Sequence, residues 1–195
     1  MKSVLRPLLV LFAVLTVLTG VVYPLVVTLA AQALFPAQAN GSLETVNGVV
    51  VGSSLIGQSN NDPRYFWSRP SAVNTMLGSS PESLGSSGGS NQGATSAILA
   101  QAVEERAVAF RVAHNLPADA VVPQDMLFAS ASGLDPHISP ESARLQIERV
   151  AEARGLTADQ VTALVEQFTE GPQLGLLGQP RVNVLLLNLA LDKLQ

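Results

Sequence analysis

The sequence predicts an α+β protein: one N-terminal transmembrane helix followed by a single mixed α+β domain of about four helices and a few short strands. Three observations carry that prediction. A long uncharged stretch lies near the N-terminus, helix-capping signals recur after residue 94, and a valine run follows an Asn-Gly turn.

The uncharged stretch comes first. No Asp, Glu, Lys or Arg occurs between Arg6 and Glu44, and the 24 residues from Leu8 to Ala31 are almost entirely apolar. As a helix this segment reaches roughly 36 Å, more than the ~30 Å of a bilayer's hydrocarbon core. It explains why the chain is only 13% charged, where about 25% is usual for a soluble domain. Ala31-Gln32-Ala33 would suit a signal-peptide cleavage site, but the apolar run far exceeds the ~7–15 residues of a signal core. An uncleaved anchor is therefore expected. Lys2 and Arg6 precede the span, and the next basic residue is Arg64. That bias keeps the N-terminus in the cytoplasm and sends the C-terminal domain outward. The expected organisation is a cytoplasmic N-terminus (1–6), a transmembrane helix (7–31), a juxtamembrane connector (32–42) and an extracytoplasmic domain (43–195). Within the span, Gly20, Thr16 and Thr19 form a small, weakly polar patch suited to helix packing, and Pro24 is tolerated in lipid.

Two of the 11 basic residues, Lys2 and Arg6, precede the span, which leaves nine against 15 acidic ones, a formal charge of −6. Such a domain does not suit nucleic acid or anionic lipid. With no cysteine in the chain, disulfides, thiolate catalysis and thiolate metal sites are excluded.

In the outer domain, Asn47-Gly48 marks a two-residue hairpin, with Val49, Val50 and Val51 following it. Tyr65-Phe66-Trp67 is an aromatic cluster, read as core. Residues 78–93 form a Gly/Ser-rich loop, and loops that long are usually functional or disordered. A helix is expected from an N-cap at Thr95 to the Asn115–Pro117 stop, with Leu99, Val103 and Phe110 on one face. Residues 118–139 read as irregular. Ser139 then caps a helix with Pro140 at its first position and Gly155 at its end. Thr157 and Gln160 form a capping box for the next helix, which Gly171-Pro172 stops. Val182–Leu194 reads as a final helix, apolar almost all round and too short to span a bilayer, hence buried.

Known chemical motifs are sparse. His114 and His137 are the only histidines and form no H-x-x-x-H pair, which argues against a histidine metal site. The loop around Gly88 and Gly89 lacks the lysine of a phosphate-binding loop. Ser132, Asp135 and His137 invite a hydrolase reading. A catalytic triad needs a fixed chain of hydrogen bonds beside an oxyanion site, and residues this close in sequence rarely provide one. Turn chemistry at Asp135-Pro136 explains the cluster better, with His137 bracing the loop or a partner. A membrane-anchored hydrolase and an ATP-binding regulator are the alternatives to a subunit role.

Five phrases in order carry a family resemblance. They are Tyr65-Phe66-x-Ser68-Arg69-Pro70-Ser71-Ala72, Ser87-Gly88-Gly89-Ser90-Asn91-x-Gly93, Ala131-Ser132-Gly133-Leu134-Asp135-Pro136-His137-Ile138-Ser139, Arg149-Val150-Ala151-x-Ala153-Arg154-Gly155-Leu156, and Gly178-x-Pro180-Arg181-Val182-Asn183-Val184. Together with the single span they resemble the C subunit of the Kdp-type potassium-transporting ATPase, over essentially the whole chain. Trp67 stands where histidine is expected in many relatives, and Gln179 where glutamate is common. The resemblance implies an accessory subunit, not an enzyme. Its partners would be a channel-like K⁺-binding subunit, a P-type ATPase catalytic subunit and a small single-span subunit in the cytoplasmic membrane. ATP and K⁺ are then used by the complex, with no cofactor assigned to this chain. The family's described role is a catalytic chaperone that raises the ATPase subunit's affinity for ATP. A domain outside the membrane can do so only through its partners, as a coupling between sites. The residues the motifs single out for partner contact are Ser68, Arg69, Pro70, Gly88, Gly89, Asn91, Ser132, Gly133, Asp135, His137, Arg149, Arg181 and Asn183.

Overall fold

A computed structural model describes residues 2–73 and 86–194. Residues 78–85 of the expected Gly/Ser-rich loop lie outside that range. The chain divides into two units, Met1–Val51 and Gly52–Gln195.

In the first unit, α1 (Lys2–Val17), a π-helical turn (Leu18–Val22) and α2 (Tyr23–Leu34) run on continuously. The stretch Val4–Leu34 is long and apolar enough to cross a membrane. The π turn has a local cause. Pro24 has no N–H for the helix ladder, and the Tyr23 N–H reaches back to the Leu18 carbonyl. Thr19 Oγ1 donates to the Leu15 carbonyl at 2.8 Å, a back-bond that such threonines make inside helices. After the short α3 (Pro36–Ala39), Asn40 and Gln32 exchange two side-chain hydrogen bonds at 3.1 and 3.3 Å. The Asn-Gly turn then joins β1 (Leu43–Val46) to β2 (Val49–Ser53), with φ of +51° at Asn47 and +80° at Gly48. Two positive φ values are what a type I′ hairpin turn demands.

The second unit begins with the end of β2 and an irregular stretch, with turns at 54–55 and 63–64, that leads to Phe66. Four helices follow: α4 (Ala97–Ala113), the one-turn α5 (Gln124–Leu127), α6 (Pro140–Arg154) and α7 (Ala158–Gln167). The last helix is α8 (Val184–Leu191). Three short strands, β3 (His137–Ile138), β4 (Thr169–Glu170) and β5 (Arg181–Asn183), form an antiparallel sheet in the order β3-β5-β4. His137 faces Asn183, and Thr169 faces Val182. The α+β class is as the sequence predicts.

The caps follow local chemistry. Ser139 accepts from Ser142 N, and Gly155 ends α6 at φ +66°. Thr157 and Gln160 complete the capping box. Two expectations shift. Ser96, not Thr95, caps α4 by accepting from Leu99 N. The final helix starts at Val184 because Val182 and Asn183 are drawn into the sheet and Asn183 becomes the cap. The irregular stretch 118–139 also contains α5 and β3. The core gathers Ile147 and Val150 of α6, Val161 and Val165 of α7, Leu187 and Leu191 of α8, with Val182, Ile138 and Phe66. Phe110 of α4 and Met126 of α5 close one side.

Candidate functional site

The loop Ser130–Pro136 is the point on which the sequence motifs converge. Gly133 is buried at φ +70°, and a Cβ there would lie 2.7 Å from the Gly88 carbonyl oxygen. Only glycine fits. Around it, Gly88 N donates to Ser132 O at 2.9 Å and Ser71 Oγ donates to Gly133 O at 2.7 Å. Gly89 packs against Ala131, since an added Cβ would sit 3.0 Å from that residue's carbonyl oxygen. Val184 N donates to Pro136 O at 3.0 Å. Four of the five phrases are thus joined at one place, by backbone contacts and by the Ser71 hydroxyl.

Arg69 Nη1 meets Asp135 Oδ2 at 2.6 Å, while Asp135 Oδ1 accepts His137 N at 3.0 Å. The carboxylate so locks the turn and orients Arg69, whose Nε is buried without a hydrogen-bond partner among the described residues. Beside this pair opens a cleft of about 580 Å³, lined by Arg69, Asp135, His137, Leu177, Gln179 and Arg181 among others. Arg181 Nε is itself held by Glu170 Oε2 at 3.0 Å. Ser68 and Pro70 line a smaller hollow of about 210 Å³ with Trp67 and Arg106. Asn91 is exposed, with a left-handed backbone at φ +54°.

Arg149 and Asn183 serve the frame. Arg149 Nη2 donates to Tyr65 O at 3.0 Å and to Gln146 Oε1 at 2.9 Å, and Nη1 donates to Pro63 O. Its guanidinium lies 4.5 Å from the Trp67 ring centroid. Burial lowers its pKa to about 10. Arg149 Nε also donates to His114 Nε2 at 3.0 Å, and His114 Nδ1 bonds the Phe110 carbonyl at 2.7 Å. These partners assign the proton to Nδ1 of a neutral ring. Burial pushes the His114 pKa down to about 4; the bond to Phe110 opposes this and the Arg149 charge adds to it. Asn183 Oδ1 caps α8, and its Nδ2 donates to Ser54 O at 2.7 Å.

The hydrolase reading finds no support. Ser132 Oγ accepts Leu134 N at 3.1 Å and lies 3.4 Å from Ser130 Oγ. Among the described residues no hydrogen bond joins Ser132 to His137.

Three residues that the motifs did not mark are structurally central. Asp125 accepts Ser139 N at 2.7 Å and Ser142 Oγ at 2.7 Å. Gln146 and Asn188 each clasp one backbone residue of the aromatic cluster. Trp67 N donates to Gln146 Oε1 at 2.7 Å, and Gln146 Nε2 returns to Trp67 O at 3.2 Å. A polar residue at buried helical spacing was the available signal.

Comparison with known proteins fixes the family. Residues 5–193 match the family described as K⁺-transporting ATPase, c chain. The chain belongs to the K⁺-transporting ATPase C-chain family. Its relatives include potassium-transporting ATPase KdpC subunits from Polaromonas naphthalenivorans strain CJ2, 58% identical over 100% of this chain and 97% of the relative, and from Variovorax paradoxus strain S110, 56% identical over 98% and 97%. A third, from Burkholderia orbicola strain MC0-3, is 54% identical over 100% and 98%. Four of the five phrases that carry the resemblance to the C-chain family therefore build one junction, around Gly133, with a cleft at its edge, while the Arg149 phrase braces the aromatic segment.

Proposed function

We propose that this chain is a non-catalytic accessory and assembly subunit of an ATP-driven K⁺-import complex. The family match from residue 5 to residue 193 is the observation that carries this reading. The span packs against partner helices in the cytoplasmic membrane. The domain after it lies outside, as the placement of Lys2 and Arg6 favours. Its partners are the channel-like K⁺-binding subunit, the P-type catalytic subunit and the small single-span subunit. ATP is hydrolysed by the catalytic subunit, and this chain promotes that use through contacts, not by touching the nucleotide. The acidic domain modestly enriches cations nearby, an effect that salt screens over about 8–10 Å.

The test is to express the partner subunits with and without this chain. Its omission should abolish recovery of the complex on a partner's affinity tag or abolish K⁺-stimulated ATP hydrolysis. Unchanged activity rejects the proposal. Protease added to intact spheroplasts should digest the domain; full protection would place it in the cytoplasm and overturn the topology.

A further inference from the structure

The segment between β4 and β5 combines features that the fold itself does not need. From Gly171 to Pro180 it carries no charged residue. It folds back on itself: Gln173 N donates to Leu177 O at 2.8 Å, and Leu177 N donates to Gln173 O at 2.9 Å. Leu174 and Gly175 turn the chain at φ +54° and +72°, and a bulky residue rarely takes the former. The result is a braced knob, pinned at its base by the Glu170–Arg181 pairing. Leu174 is 94% exposed and Leu176 86%. Two leucines so exposed, two positions apart in one braced loop, offer an apolar surface of the kind that marks interaction sites. Against the knob lies the 580 Å³ cleft, with Leu177 in its wall.

We propose that this leucine knob and the adjoining cleft form a docking surface for a neighbouring protein subunit that offers a leucine-sized apolar pocket, with polar groups entering the cleft beside His137 and Gln179. The inference rests on the subunit reading above and specifies the surface used. Charge and shape select a protein over a lipid surface. The chain beyond Arg6 is acidic by six charges, which repels anionic headgroups, and the loop has no basic residue to hold them. The cleft's two arginines are already engaged, Arg69 with Asp135 and Arg181 with Glu170. The lining also holds the Asp125 carboxylate, bonded to Ser139 and Ser142, so the cleft is weakly acidic and fits a partner surface that offers uncharged hydrogen-bond donors. A fluid, level bilayer would cover the knob and leave a polar hollow unfilled, whereas a protein relief fills both. Only a few side chains are at stake, but a partner held in the same membrane meets the knob at high effective concentration.

Two measurements on the complete complex test this. Leu174→Asp with Leu176→Asp should lower recovery of the complex on a partner's tag by about tenfold or more, with the Trp67 emission of the purified chain unchanged. Recovery equal to wild type overturns the proposal. Because the chain has no cysteine, Leu176→Cys can carry an environment-sensitive fluorophore in complexes reconstituted into vesicles of neutral lipid containing spin-labelled acyl chains. Blue-shifted emission, shielded from iodide and from the lipid spin label, is expected. Quenching by the lipid label assigns the knob to the bilayer, and free quenching by iodide shows it undocked; either overturns the proposal. If the unaltered chain is itself not recovered with its partners, the subunit reading fails and the docking surface falls with it.

Discussion

Asn188 and Phe66 are joined by two hydrogen bonds that imitate one rung of a β-sheet. The Phe66 N–H donates to Asn188 Oδ1 at 2.8 Å, and Asn188 Nδ2 donates to the Phe66 carbonyl at 3.0 Å. With the Gln146 clasp on Trp67, a segment without strand neighbours has its backbone satisfied inside the core. Asn188→Leu should leave two buried backbone groups unpaired, at about 1–3 kcal/mol each. Chemical unfolding of the full-length chain in detergent, followed by Trp67 fluorescence, should show a midpoint well below wild type. An unchanged midpoint would refute the role given to the clasp.

Arg149→Lys keeps the charge and loses the planar fork that reaches His114, Gln146 and two backbone carbonyls. We expect a loss of about 2–3 kcal/mol. Because the guanidinium faces the only tryptophan, the variant's emission maximum should also move. Wild-type stability and spectrum together would contradict the arrangement.

Acid should weaken the domain through His114. Its folded pKa, about 4, lies below its ordinary value of 6.5, so the native state binds fewer protons than the unfolded chain between those values. Stability from the neutral ring is complete above about pH 6.5 and is lost as the pH falls towards 4. Asp62, held at about 2 chiefly by the Arg64 side chain and then by the Arg64 backbone N–H, acts only at lower pH. Melting temperature against pH should therefore slope between 6.5 and 4 in wild type and flatten in His114→Gln. Equal slopes would argue against a buried neutral ring.

Two glycines with the same left-handed backbone should respond differently. Among the described residues Gly155, at φ +66°, has nothing within 4 Å of an added Cβ, while Gly133, at φ +70°, has the Gly88 carbonyl and Val73 at 2.7 Å. Gly155→Ala should cost about 1 kcal/mol. Gly133→Ala should cost about 2–4 kcal/mol, because the clash is with backbone. Matched unfolding curves would decide, and equal losses would mean that the junction around Gly133 yields.

Local chemistry made much of this readable in advance. Ser139-Pro140, Thr157 with Gln160 and Asn47-Gly48 each act within a few residues, so their structures follow from the letters alone. Thr95 and Ser96 offer the same capping group one position apart, which spacing cannot separate. The two- and three-residue strands at His137–Ile138 and Arg181–Asn183 exist only because they pair across 46 positions in sequence, too short a signal for periodicity to register. The apolar run from Val182 concealed the change from strand to helix. The motif residues were legible as a set, but not that Arg69, Gly88, Gly133 and Asp135 would meet while Arg149 braced another face.

The interior is closed by the segment made last among the described helices. Leu187, Asn188 and Leu191 complete the core from α8, so no earlier length of chain can bury Phe66 or satisfy its backbone. While the ribosome is still extending the polypeptide, the preceding helices lack their partner. The domain therefore reaches its packed form only once synthesis has passed Leu191, and a nascent chain that stops short of that residue leaves the Phe66 face of the core open.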